Sequence, residues 1–179
     1  MVNVALDWKN IHWLPDDTWK KDTLPKLRKE GIDPKKLPRS VYVIRLNGDY
    51  WVKYPWGESP TLYIGEGNFN ARINSHRKWT AELEELVGEF SFLVKIASPR
   101  VNNNSYAYQD CEAALLERFG ELFGSAPLWN KQFESRGSDY KYSKRQMDIA
   151  LRRGSGTRYK WAFTPMKSGS FEFGVGYVA

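Results

Sequence analysis

The chain has 179 residues, 41% hydrophobic and 15% aromatic, which is enough to bury one proper core and favours a single domain with decorated ends. A charged fraction of 27%, no long apolar run, and an N-terminus without a basic segment leading into an apolar one argue against a membrane span or secretory signal, so a soluble, cytoplasmic protein with no membrane partner is expected. The one cysteine, Cys111, cannot close an internal disulfide and, with two histidines, cannot complete a structural zinc site; any metal must rest on carboxylates.

In chain order, residues 1–39 alternate apolar patches (Trp8, Ile11, Trp13, Leu14) with charge. Asp16-Asp17 reads as an N-cap, and Trp19 to Lys29 as a helix interrupted near Pro25. The tryptophans suit an arm packed on the domain. From Ser40, Val41-Tyr42-Val43-Ile44-Arg45-Leu46 predicts a strand, Asn47-Gly48-Asp49 a hairpin turn, and Tyr50 to Tyr54 a second β-prone stretch. After the loop Pro55 to Pro60, Thr61-Leu62-Tyr63-Ile64-Gly65 predicts the next strand, and short connections favour antiparallel pairing.

Phe69 to Val87 has helical periodicity (Phe69, Ile73, Trp79, Leu83, Leu86) with Gly88 as its stop. Phe90 to Ile96 predicts another strand, and Tyr106 to Phe123 a strong helix closed by Gly124. The order is strand, strand, helix, strand, helix. Beyond Pro127-Leu128-Trp129-Asn130, Ser143 to Arg153 predicts a short basic helix, Gly154-Ser155-Gly156 a joint, and Arg158 to Phe163 and Ser170 to Val178 extended segments.

The net charge of +6 is uneven. Residues 1–40 carry 9 Lys/Arg against 6 Asp/Glu, residues 41–130 carry 8 against 11, and residues 131–179 carry 10 against 4. A neutral-to-acidic middle flanked by basic, aromatic-rich ends suits a core held onto a polyanion, because phosphate neutralisation supplies much of nucleic-acid affinity. The candidate backbone contacts are Lys141, Lys144, Arg145, Arg152 and Arg153, where basic residues interleave with aromatics.

Several polar residues form a set with a chemical logic. Arg72 and His76 lie one helical turn apart and share a face. Glu117 falls inside the most apolar helix, where a carboxylate is costly unless a cation meets it. Phosphodiester hydrolysis needs a divalent cation at the scissile phosphate, a group that activates water, and a fixed positive charge for the developing anion. Glu117, a tyrosine and Arg72 supply those three, and a lone carboxylate leaves water in most of the shell, as Mg2+ prefers.

Ser40-Val41-Tyr42-Val43-Ile44, Leu62-Tyr63-Ile64-Gly65, Arg72 with His76, Glu112-Ala113-Ala114-Leu115-Leu116-Glu117 and Pro127-Leu128-Trp129-Asn130 together resemble the ordered motifs of the GIY-YIG nuclease family, over about residues 40–130. The resemblance implies an α+β (α/β sandwich-like) fold: a small three-stranded antiparallel sheet flanked by helices. The arms are then residues 1–39 and a basic extension, 131–179. It implies that Tyr42 and Tyr63 flank the attacking water, with Arg72 at the scissile phosphate. His76 is then a proton donor, acceptor or orienting group, Glu117 the Mg2+ (or Mn2+) ligand, and Asn130 a brace for the tyrosines or their backbone. Glu112 competes with Glu117 for the metal; the shorter interval from Glu117 to Asn130 resembles the family better. Ser40 replaces the usual first glycine, and Glu66 stands where relatives carry lysine or a small polar residue, so its carboxylate must point away or help hold metal.

The expectation is a metal-dependent endonuclease acting on duplex DNA, with specificity from the arms or from a homo-oligomer. The alternative is a catalytically inactive nucleic-acid-binding module on the same scaffold.

Overall fold

A computed structural model describes residues 2–47, 50–87, 91–131, 133–154 and 161–164. The expected turn at Gly48-Asp49, the stop at Gly88, most of the joint at 154–156 and the extended segment at 170–178 lie outside the described residues. Helix and strand are mixed along the chain. In order they are β1 (Asn3–Val4), β2 (Lys9–Trp13), α1 (Leu24–Lys29), β3 (Ser40–Asn47), β4 (Tyr50–Tyr54), β5 (Gly57–Ser59) and β6 (Thr61–Gly67). Then follow α2 (Phe69–Val87), β7 (Ser91–Ala97), α3 (Ala107–Phe123), β8 (Lys141–Tyr142), α4 (Lys144–Leu151) and β9 (Trp161–Phe163).

The central sheet has the order β2-β7-β3-β6 and is antiparallel throughout. Three of its strands are the Val/Ile/Tyr-rich runs that sequence periodicity predicts, but the sheet has four strands, not three. The extra edge strand comes from the N-terminal segment, with Ile11 opposite Val94 and Trp13 opposite Phe92. Its alternation of exposed Asn10 and His12 with buried Ile11 and Trp13 is the period of a half-buried strand. Strand β4 also departs from the expected hairpin with β3: it pairs with β5 and, in parallel, with β9 in a second sheet.

The N-terminal segment and residues 141–151 are sewn into the same core, which among the described residues runs from Leu6 to Leu151. Strand β1 lies parallel to β8, and the Trp8 indole donates to the Gln146 carbonyl at 2.8 Å. Buried Arg45 donates to the carbonyls of Ile149 (3.3 Å) and Arg152 (2.6 Å), occupying acceptors that the end of α4 leaves without helical partners. The hydroxyls of Ser59 and Thr61 donate to the Leu151 carbonyl at 2.7 and 3.1 Å.

Helix α2 lies over the Tyr42 side of the sheet: Phe69 meets the Tyr42 ring edge-on at 5.2 Å, and Trp79 meets Phe92 at 6.2 Å. Arg77 fastens the helix to the N-terminal segment by donating to the carbonyls of Pro15 (2.7 Å) and Asp17. Helix α3 packs against β3 and β6 and ends at Gly124, whose φ of 76° is the left-handed conformation that closes a helix.

Because Trp13 is fully buried beside Phe92 on β2, Trp13→Ala should lower the unfolding free energy by about 3–5 kcal/mol in urea titration. A loss under about 1 kcal/mol would mean that β2 is a loosely held arm and not a structural strand.

Candidate active site

The site is built where β3 and β6 run side by side and α2 crosses above them. Tyr42 faces Gly65 directly across the strand pair, and Tyr63 lies two residues before Gly65 on the same side of β6. A Cβ on Gly65 would stand 2.5 Å from the Tyr63 ring and 2.8 Å from both the ring and the hydroxyl of Tyr42. The glycine is therefore required by space: both tyrosines converge over its bare Cα.

His76 completes the group from α2. Its ring centroid is 4.4 Å from that of Tyr63, and its Nε2 is 3.0 Å from the Tyr42 hydroxyl. Its other ring nitrogen, Nδ1, accepts a hydrogen bond from the Trp79 indole at 3.1 Å. Burial, with the Arg72 charge adding to it, holds the His76 pKa down at about 4, so the imidazole is neutral near pH 7. Burial pushes both tyrosines above the ordinary phenol range. For Tyr63 the Glu112 charge adds to this, while Arg72 and a hydrogen bond with Tyr42 oppose it.

Asn130 holds the strand that carries Tyr63. Its side-chain oxygen accepts from the Ile64 backbone N–H at 2.9 Å, and its side-chain nitrogen donates to the Ile64 carbonyl at 2.8 Å. Next to it, the Trp129 N–H donates to the Leu62 carbonyl at 3.0 Å and the Trp129 ring stacks on Trp79 at 4.8 Å. The 129–130 segment thus occupies the open edge of β6.

The group opens into a cleft of about 920 Å³. Tyr63, Glu66 and Arg72 form one wall, Gln109, Glu112 and Leu116 of α3 another, and Trp129, Asn130, Lys131 and Glu134 are also in its lining. Tyr42 and His76 sit behind that wall, fully buried and nearly so. Arg72 is largely exposed and stands 3.7 Å from Glu66, an ion pair that gives Glu66 a partner and turns its carboxylate toward the arginine.

Glu117 does not join the site. It is exposed and outside the cleft lining, whereas Glu112, five residues earlier, is half-buried and inside it. At about 100° per residue, five residues turn a helix by about 140°, so the two carboxylates cannot share a face. Gln109, Glu112 and Leu116 recur at helical spacing on the cleft side. The interval to Asn130 points to Glu117, whereas the periodicity of the helix puts Glu112 on the cleft side.

Glu112 has no hydrogen bond or ion pair among the described residues. Burial, followed by the charges of Glu66 and Glu134, pushes its pKa to about 8 against a partial offset from Arg72. A carboxylate so placed is a poor structural residue and a good cation ligand. Among the described residues no three His, Cys, Asp or Glu side chains are grouped to cage a metal. A site with one protein carboxylate and the remaining positions left to water and substrate oxygens fits Mg2+, which dehydrates reluctantly.

None of the basic candidates lines the cleft. Lys141 on β8 and Lys144 and Arg145 at the start of α4 are exposed. Arg152 pairs with Asp148 at 3.2 Å, and Arg153 sits over the Trp51 ring at 5.6 Å. Among the described residues the cleft cations are Arg72 and Lys131. Trp79, an apolar position in the helical periodicity, also reaches the site: its spacing of three residues from His76 puts both on one helix face.

No family model, curated protein or solved structure matches this chain.

Two outcomes follow from the geometry. Gly65→Ala should cost about 1–3 kcal/mol by overpacking and alter the near-UV dichroism of the tyrosines; an unchanged spectrum and stability would show that the rings do not converge over Gly65. The second concerns Glu112, which binds its proton more tightly folded than unfolded. Its favourable contribution is complete below the ordinary carboxylate pKa and is lost as pH rises toward about 8. Glu112→Gln should therefore raise the melting temperature relative to wild type at pH 8 but not at pH 4, as read by thermal melts in EDTA; an equal shift at both would refute the assignment.

Proposed function

We propose that this protein is a metal-dependent endonuclease that hydrolyses DNA phosphodiester bonds, with a catalytic centre of the GIY-YIG type. The observation that carries this reading is the convergence of Tyr42, Tyr63 and His76 over Gly65, with Arg72 and the unpaired Glu112 facing the same cleft. The β7-β3-β6 part of the sheet, with α2 and α3, corresponds on this reading to the family's three-stranded core. The second edge strand β2 is then an addition.

The roles follow from position. Tyr63 is the phenol on the cleft wall, where its phenolate, formed by loss of the phenol proton to solvent, can take the proton of an attacking water; Tyr42, buried behind it, orients it. Arg72 supplies fixed positive charge for the phosphorane-like transition state, which is worth most in a site partly shielded from water. Glu112 would hold a divalent cation, which would supply charge neutralisation at the scissile phosphate and offset the Glu112 field that opposes ionisation of Tyr63. In-line attack of water breaks the bond from phosphorus to the 3′ oxygen, which leaves with a proton, giving a 3′ hydroxyl and a 5′ phosphate. The exposed Lys141, Lys144 and Arg145, outside the cleft, are suited to backbone contacts, and a homo-oligomer would let two clefts act on one duplex.

Supercoiled plasmid should be nicked in Mg2+ and left intact in EDTA, with Glu112→Gln reducing the rate by at least about 100-fold and Glu117→Gln leaving it within about twofold. The reverse ranking, or no cleavage by wild type on duplex, branched or single-stranded DNA, would sink the reading. Because the Glu66 carboxylate neutralises part of the Arg72 charge, an inactive nucleic-acid-binding module is the second reading. It expects salt-sensitive DNA binding without metal-dependent cleavage.

A further inference from the structure

The hydrogen bonds around His76 have a direction, and Trp79 sets it. An indole N–H can only donate, so the 3.1 Å contact from Trp79 makes His76 Nδ1 the acceptor. A neutral imidazole with Nδ1 bare carries its proton on Nε2, and that proton points at the Tyr42 oxygen 3.0 Å away. Receiving this bond, Tyr42 keeps its own hydroxyl proton free to donate, and the neighbouring phenol is Tyr63, its ring centroid 6.0 Å away. Tyr63 alone of the four reaches the cleft.

We propose that Trp79 is a positioning residue: it fixes the proton of His76 on Nε2, so that Trp79, His76 and Tyr42 donate in one direction and the series ends on the Tyr63 oxygen at the cleft wall. A histidine so held cannot accept a proton from Tyr42. Its Nε2 is already protonated and its Nδ1 lone pair is engaged by the indole. Of the three roles open to His76 from sequence, donor, acceptor or orienting group, this leaves donation to Tyr42. Successive donors favour negative charge at the end of the series, the arrangement a proton acceptor on the cleft wall needs. The Trp79 ring is itself held by its stack on Trp129, next to Asn130 on the open edge of β6. The tautomer of a buried histidine is thus tied to the segment that clamps the strand of Tyr63.

The consequence for catalysis rests on the nuclease reading; the tautomer does not, and the test separates them. The chain has two histidines, so a His12→Gln background leaves one imidazole to follow by nitrogen-15 NMR. The expected spectrum at neutral pH is that of a single Nε2–H tautomer. Trp79→Phe keeps an aromatic ring for Trp129 and removes the donor, and should introduce Nδ1–H signal. Tyr42→Phe removes the other partner and should leave Nε2–H in place. An Nδ1–H tautomer in wild type, a shift to it in Tyr42→Phe, or an unchanged tautomer in Trp79→Phe overturns the proposal. In plasmid cleavage, Trp79→Phe should lower kcat by about tenfold or more with KM within about twofold, the pattern of a group acting through the proton acceptor. Equal loss in KM and kcat overturns the positioning role, whereas inactive wild type overturns only the nuclease reading and leaves the tautomer to the NMR.

Discussion

Everything at the centre of this protein depends on the empty space above the Gly65 Cα. Two phenol rings from adjacent strands close over that point at distances no side chain tolerates, and an imidazole from the crossing helix completes the group. A β-strand ordinarily fills such a position with a β-branched residue, since strands gain stability from cross-strand packing. Here that packing is given up at one position so that three titratable rings can meet. The loss is offset around it: Val43, Ile44, Ile64 and Phe69 are fully buried within a few residues of the gap. A rigid apolar frame holds a polar group that could not hold itself.

The same frame explains why the histidine and tyrosines are not interchangeable. Burial penalises every charged form in the group, so the neutral forms are the resting state of all three rings. With charge suppressed, the direction of the hydrogen bonds becomes the distinguishing property, and it is set from outside the group by the one side chain that can only donate. The amide of Asn130 acts on the backbone in a similar way, using both its donor and its acceptor on Ile64 so that the edge strand cannot shift register. Geometry and proton order in the site are therefore both imposed from its periphery.

Much of this was legible in the sequence, and the parts that were not share a cause. The runs 41–46 and 61–65 and the two long helices announce themselves by apolar period and by bounding glycines and prolines. Tyr42, Tyr63, Arg72, His76 and Asn130 are all found around the site. Strand β2 does not emerge from the sequence although its alternation is regular, because three tryptophans in a short polar segment suit an arm packed on the domain until a sheet edge is known to need covering. The interval along the chain prefers Glu117 to Glu112, but a helix face is decided by angle and a loop such as 124–128 can absorb any difference in length. Arg152 and Arg153 counted as free basic residues, yet Asp148 and the Trp51 ring already engage them. In each case the sequence showed the residue type, and only tertiary contacts showed what it faces.

The cleft also carries an electrostatic tension that bears on how it works. Among the described residues Glu66, Asp110, Glu112 and Glu134 line it against Arg72 and Lys131, so by count of acidic and basic groups it does not attract a polyanion. The raised pKa of Glu112 lessens the imbalance by keeping that carboxyl largely protonated near neutrality, and the Glu66 to Arg72 ion pair lessens it further. On the nuclease reading, Glu112 would hold a cation in place of its proton, which would make the field favourable where a phosphate would sit and leave that phosphate to compete with Glu66 for the arginine. On the nuclease reading, metal and DNA therefore bind with positive coupling, each improving the field for the other, as linkage between oppositely charged ligands requires. Glu66, which at first looks like an obstacle to a phosphate, then serves as a stand-in anion that keeps Arg72 in place until substrate arrives. On that reading, exchanging the Glu66 carboxylate for a phosphate oxygen would leave the arginine paired before and after substrate binds.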